Sequence, residues 1–228
     1  MSSSTELKGA AIVRYYTGDA TPRGGDYDGI AMVKAVKGRT FNNFFYYGGK
    51  KYDQTNAEEF AANIAPAEMA KSILGRIANT ATLVPIPNSH VIAENTEGFR
   101  TLSLAQRIAA MSAGRLTAVP ALVFKEPQAK SSENGPRAAS HFEQAYKLIY
   151  AIDGPIVLVD DVTTLGGHFV GACWKLAGIG ASVEMASAFA STTHDQVPSP
   201  LAEHDFTYDL RRPSDIFAAF FQPPGQIA

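Results

Sequence analysis

Residues Ile156 to Val159 read Ile-Val-Leu-Val, four apolar residues with no polar alternation, and two carboxylates, Asp160 and Asp161, follow at once. So short and evenly apolar a run belongs to a strand covered on both faces, because a half-exposed strand would alternate and a buried helix would run to about ten residues or more. After the carboxylates come Thr163, Thr164, Leu165, Gly166 and Gly167, a small-residue turn, and then a helical pattern from Gly167 to about Ala177. Strand, turn and helix in that order predict a parallel sheet, since parallel neighbours need a crossover connection.

The same alternation holds on either side. Leu83 to Ile86 predicts a strand, Thr101 to Ser112 a helix, the run Ala-Val-Pro-Ala-Leu-Val-Phe ending at Phe124 another strand, and Val183 to Ala190 a last one. The fold class is therefore α/β, a doubly wound, mostly parallel sheet with a small N-terminal β-rich element. Ligands of such sheets bind beyond the carboxyl ends of the strands, here the loops after Ile86, Phe124 and Val159. In the N-terminal part, Ala10 to Tyr16 and Gly29 to Val36 read as strands around the turn-rich Thr17 to Asp28. Asp19, Asp26 and Asp28 lack the spacing of an EF-hand and read as a solvated turn. Asn56 with Glu59 resembles a capping box, and Pro66 fits the first turn of a helix carrying Met69, Ile73 and Ile77 at helical spacing. The chain thus divides into residues 1–81, a hood or sheet extension; 82–192, the core; and 193–228, a tail that packs on the core or on a dimer partner. In that tail Ser214 caps a short helix presenting Phe217, Phe220 and Phe221, a core stripe or the seam of a homodimer.

Composition narrows the partners. Of 228 residues, 46% are hydrophobic and 18% charged, which excludes global disorder. Twenty Lys and Arg against 22 Asp and Glu leave a net charge of -2, so bulk attraction to nucleic acid or anionic lipid is excluded and any anion must be held locally. No apolar run approaches the about 18 residues of a membrane span, and the start, Met-Ser-Ser-Ser, is not a leader, so a cytoplasmic chain is expected. The single cysteine, Cys173, permits neither an internal disulfide nor a cysteine-based zinc site and reads as part of a buried helix face. Histidines 90, 141, 168, 194 and 204 show no metal spacing, and P-loop, hydrolase-elbow and dinucleotide fingerprints are missing.

The chemistry concentrates on three loops. Asp160 and Asp161 at the edge of a dry sheet call for solvent, a hydroxylated ligand or an oxygen-loving cation such as Mg²⁺. Thr163, Thr164, Gly166 and Gly167 let the backbone fold tightly around a phosphate at a helix start, although a capped turn would use the same residues. Between Phe124 and Tyr146 lie 21 residues rich in Lys, Ser, Gly and Pro, a lid or a solvated insertion, with Lys130 and Arg137 among its cations. After the first core strand, Asn88, Ser89 and the backbone amides after Pro87 offer donors to anionic oxygens, with His90 alternatively facing solvent.

Val157 to Phe169, the end of the four-residue apolar run from Ile156, two acidic residues and a Thr/Gly-rich loop, resembles the PRPP-binding motif of type I phosphoribosyltransferases. Leu83 to His90 resembles the pyrophosphate loop of the ComF-like branch, Gly98 to Ala109 its Gly-Phe-led helix, and Pro127 to Tyr146 its flexible loop. The resemblance covers Leu83 to Ala190. It implies Mg²⁺-dependent transfer from PRPP to an acceptor, with Asp160 and Asp161 on the ribose hydroxyls and the metal. It further implies the 5'-phosphate at Thr163, Thr164, Leu165, Gly166, Gly167 and His168, the diphosphate at Pro87 to His90, and Lys130 with Arg137 as the catalytic lid. Two positions depart from the pattern: Leu165 stands where the family carries Thr or Ser, and His168 where a second hydroxyl follows the glycines. A protonated His168 would replace that hydroxyl. The alternative is a non-catalytic sensor or partner module on the same fold, binding a phosphorylated ribose or nucleotide.

Overall fold

In the computed structural model, residues 5–129, 135–196 and 199–213 are described. The strand predicted at Ile156 is the middle of the molecule: β8 (Ile156–Thr163) lies between β4 (Ala81–Pro85) and β9 (Val183–Thr193), parallel to both. β5 (Leu116–Ala118) continues the sheet beyond β4, and β1 (Glu6–Tyr16) continues it beyond β9, again in parallel. β10 (Leu201–Asp209) closes the β1 edge in the antiparallel sense, giving the order β10-β1-β9-β8-β4-β5.

Helices cover both faces, as a doubly wound sheet requires. On one face α1 (Gly24–Val36), α3 (Ala65–Leu74) and α4 (Arg100–Ala110) bury Met32, Met69, Ile73 and Ile108 against Leu83, Val157 and Val159. On the other, α5 (Ala139–Ala145) and α6 (Gly167–Ala177) bury Phe142, Phe169, Cys173 and Leu176 against Val84, Leu158 and Ala186. Burial pushes the Cys173 thiol up to about 12, so it stays protonated and behaves as a small apolar side chain. Among the described residues no helix is long and apolar enough to cross a membrane.

Four sequence expectations change. Gly29 to Val36, expected as a strand, is the end of α1: Gly29, Met32 and Val33 are buried at helical spacing, and the Asp26 carboxylate accepts the Arg23 N–H at 2.8 Å at the helix start. The run ending at Phe124 splits into β5 and β6 (Leu122–Phe124), because Pro120 has no N–H to give a ladder. β6 instead pairs antiparallel with β7 (Tyr146–Leu148), and the expected lid contains α5. Asn56 does stand at the N-cap of a short helix (Ala57–Glu59), but its side chain makes no capping bond, because its Oδ1 accepts the Asp53 N–H at 2.8 Å. The stretch after Thr192 supplies β10, whereas Ser214 and its aromatic stripe lie outside the described residues.

Within the N-terminal part, one ring joins a hairpin to the sheet. A hairpin, β2 (Phe45–Tyr47) and β3 (Lys50–Tyr52), precedes α2 (Ala57–Glu59), a π-helical turn (Phe60–Ile64) and α3. Phe60, 1% exposed, lies 4.8 Å from the Phe45 ring, 5.4 Å from Tyr52 and 6.1 Å from Phe189 of β9, centroid to centroid. Phe60→Ala should therefore lower unfolding free energy by about 3 to 5 kcal/mol, while Phe60→Leu should cost less because it refills most of the volume. Urea unfolding monitored by far-UV circular dichroism measures both; a loss below about 1 kcal/mol for Phe60→Ala would show that the hairpin and the sheet are held together elsewhere.

Candidate functional site

The winding of the sheet changes side between β4 and β8. From β4 the chain crosses through α4 to β5, and from β8 through α6 to β9 on the opposite flank, so the loops leaving β4 and β8 part at their carboxyl ends and open a crevice there. The two strands stay paired up to it, with the Ile86 N–H donating to Val159 O at 2.8 Å. The next residues are Asp160 on one side and Pro87 to His90 on the other.

The adjacent carboxylates have different surroundings, because successive side chains of a strand leave on opposite faces. Asp161, 7% exposed, lies on the α1 and α4 side, 3.6 Å from Lys37 Nζ and 3.1 Å from Arg100 Nη2. Asp160 lies towards Tyr146 and Tyr208, whose phenols it helps to hold above their ordinary range, although burial is the larger cause for both. Desolvation and then the Asp161 charge raise the Asp160 carboxyl well above the usual carboxylate range. The Asp161 N–H, donated to Asp160 Oδ1 at 2.7 Å, and the charges of Lys37 and Arg100 act in the opposite direction without cancelling the rise.

The loop after β4 is anchored to the same cluster. Asn88 Oδ1 accepts the Arg100 N–H at 2.8 Å, and Thr101 Oγ1 donates to Ile86 O at 2.5 Å, so the start of α4 and the loop move as one piece. Pro87 is buried. Ser89 O accepts the Gln128 N–H at 2.7 Å, tying this loop to the lid segment, and His90 is exposed with Nε2 donating to Glu97 O at 3.1 Å.

The turn before α6 carries Thr164 and Leu165 exposed, Leu165 at 68%. Gly166 then takes a left-handed conformation at φ 73°, which suits glycine, and the Tyr208 ring lies where a Cβ would stand. A Cβ on Gly167 would collide with the Arg137 carbonyl oxygen. Thr163 Oγ1 is 2.8 Å from the Tyr208 hydroxyl. Exposed Arg137 thus meets the first turn of α6 through its backbone, and Lys130 lies outside the described residues.

His168 is not the protonated phosphate donor expected from its place in the motif. Its ring stacks on Phe142, with centroids 3.7 Å apart, and Nδ1 is 3.0 Å from the Tyr146 hydroxyl. Burial lowers its pKa to about 4, so the imidazole is neutral near pH 7 and belongs to the aromatic packing between α5 and α6.

The sequence reading omitted Lys37, Arg100 and Tyr208. Arg100 sits at the start of a helix recognised in advance, but its role needed the Asn88 contact. Lys37 could not be placed while α1 was taken for a strand. Phe206, Tyr208 and Leu210 alternate with polar residues, a strand signal that was present and unused.

Because the His168 pKa is lower in the folded chain than its unfolded value near 6.5, its contribution to stability is present above pH 6.5 and is lost as pH falls towards about 4. The stability advantage of the parent over His168→Gln should therefore shrink by about 2 kcal/mol between pH 7.5 and pH 5. Asp160 titrates in both proteins and drops out of the difference. Urea unfolding of the pair at the two pH values measures it, and a constant difference would mean that the imidazole is not desolvated.

No protein-family model matches this chain, and no curated protein matches it. Nine chains among solved structures do. One is the UMP synthase of Leishmania donovani, with a TM-score of 0.37 and 17% identity, the alignment covering 72% of this chain and 32% of that one. This chain thus spans about a third of the length of that protein, given the 32% covered, and the chemistry of the site rests on this chain's own residues.

Proposed function

We propose that this chain is a Mg²⁺-dependent phosphoribosyltransferase that holds PRPP across the crevice between β4 and β8 and releases pyrophosphate to an acceptor. The observation that carries the reading is the convergence, at the point where the sheet changes winding, of a desolvated carboxylate, the Asn88 loop and the start of α6. The first amides of α6 have no partner within the helix and sit at the positive end of its dipole, which suits a 5'-phosphate. Asp160 faces the ribose hydroxyls, Pro87 to His90 the diphosphate, and Lys130 with Arg137 the lid. Asp161 holds Arg100 in place, so that a guanidinium is ready beside charge developing on the leaving group.

The residues fit a metal in part. Asp160 is a half-buried carboxylate whose pKa desolvation raises, with no cation at ion-pair distance among the described residues, and an incoming Mg²⁺ would relieve it. Asp161 is already engaged by Lys37 and Arg100. Among the described residues no three His, Cys, Asp or Glu side chains converge, so the ligand's own oxygens and water would complete the sphere, as is usual for Mg²⁺ at phosphate sites. The metal would supply neutralisation of diphosphate charge.

A second reading, binding without turnover, is favoured by one set of contacts: Tyr208 and the Arg137 carbonyl crowd Gly166 and Gly167, and Thr163 is already hydrogen-bonded. Calorimetry with PRPP and Mg²⁺, followed by a pyrophosphate-release assay over bases and amines, separates the two. Release supports the transferase, binding without release under every acceptor supports the sensor, and no binding removes both.

Asp160→Asn should weaken PRPP binding by about 1 to 3 kcal/mol, the range for hydrogen bonds to charged groups, while leaving the melting temperature unchanged or higher because a desolvated charge is removed. Asp161→Asn should instead lower the melting temperature by releasing Lys37 and Arg100, both partly exposed, so the loss should stay near 1 to 2 kcal/mol, roughly. Equal melting losses in the two variants, with PRPP binding intact, would make both carboxylates structural.

A further inference from the structure

On the Asp161 face of the sheet lies an open cavity of about 480 Å³, bounded by the end of α1, the segment after β3 and α4. Its apolar lining comes from Ala35, Val36, Ala57, Ala61 and Leu104, and its lining is otherwise polar, with Arg39, Arg100 and Arg107 beside Asp161. Arg100 and Arg107 are seven residues apart on α4, two turns along one face. Lys37, bound to Asp161, brings the cations to four, against the carboxylates Asp161 and Glu58. Two positive charges are therefore in excess at one place in a chain whose net charge is -2.

Arg39 and Arg107 make no side-chain hydrogen bond or ion pair among the described residues, whereas Arg100 already holds one carboxylate, that of Asp161. Planar guanidinium groups match carboxylates as a two-pronged donor, and beside them the cavity keeps an apolar patch on which the face of a small ring can rest. We infer that this cavity binds a small acidic molecule, an apolar ring bearing two carboxylates, held by Arg39 and Arg107 over the Val36, Ala61 and Leu104 surface. Its place beside Asp161 makes it the acceptor pocket; that role rests on the phosphoribosyltransferase reading, while the binding itself does not.

Isophthalate is a suitable probe, with isophthalamide as its uncharged counterpart of the same shape, inorganic phosphate as the anion without a ring, and calorimetry on the full chain as the measurement. Isophthalate should bind at least tenfold more tightly than isophthalamide or phosphate. Arg39→Gln and Arg107→Gln should each weaken it at least tenfold, and Lys175→Gln, on α6 across the sheet, should not change it. Both arginines are on the surface of the cavity, and thermal melts of the variants confirm that they fold. Equal binding of isophthalate and isophthalamide, insensitivity to both arginines, or tighter binding of phosphate would overturn the proposal.

The role is separated from the binding by PRPP. Isophthalate and PRPP with Mg²⁺ should bind together, and Asp160→Asn should weaken PRPP while leaving isophthalate unchanged. Mutual exclusion would place the arginines in the donor site and overturn the acceptor assignment. If PRPP fails to bind while isophthalate follows the arginines, the phosphoribosyltransferase reading falls and the carboxylate site stands.

Discussion

A strand buried on both faces can carry charge only where its covering layers end, and β8 keeps both carboxylates on residues that still belong to the strand. Asp160 pairs in register with Ala188 of β9, so its backbone has no freedom to turn the side chain towards the other face. The pleat then forces the two charges apart: Asp161 to the face that supplies Lys37 and Arg100, Asp160 to the face that supplies phenols and, among the described residues, no cation at ion-pair distance. A single backbone geometry thus makes one carboxylate an anchor and leaves the other desolvated. Arg100 is oriented by Asp161 and its N–H by Asn88, which fixes the loop after β4 relative to β8.

The other half of the crevice is closed by the chain itself. Tyr208 comes from the antiparallel edge strand β10 and Arg137 from the segment before α5, and both press on the two glycines that begin α6. The polar contact that Tyr208 brings to this closure is slight, one hydroxyl contact with Thr163 worth about 1 kcal/mol net. The α5 side is firmer, since Phe142 and Tyr146 are buried against Phe124 and His168. A ligand anion at α6 would have to displace the Tyr208 edge, while the packing of α5 on α6 could stay as it is. The neutral state of His168 belongs to that packing, which is why the same ring cannot also serve as a cation for phosphate.

Much of the sheet was legible because its signal is local. Ile156 to Val159 is evenly apolar and short, and the helix after Gly167 has its buried residues at helical spacing, so strand, turn and helix follow from adjacent residues alone. The failures have physical causes of their own. Gly29 to Val36 is rich enough in apolar residues to pass for a strand, and only the packing of Gly29 against Arg14 O in β1 shows that a helix needs a residue without Cβ there. Pro120 was read as part of a strand although it cannot donate to a ladder. The division of Asp160 from Asp161 was available from the period of a strand, but it required knowing that β8 continues past the carboxylates to Thr163.

The arginine cavity was invisible for a different reason. Lys37 and Arg39 follow α1, Arg100 and Arg107 lie on α4, and about 60 residues of sequence separate the two pairs, so no window of the chain contains the cluster. Net charge conceals it further, because a total of -2 averages over a surface on which opposite signs are unevenly spread. At physiological salt, charges more than about 8 Å apart are largely screened from one another, so what a small anion meets is the local excess and not the total. A mildly acidic chain can therefore hold a strongly cationic pocket. The condition is that a buried carboxylate, here Asp161, keeps two of the cations in place while the remaining guanidiniums stay open to the cavity.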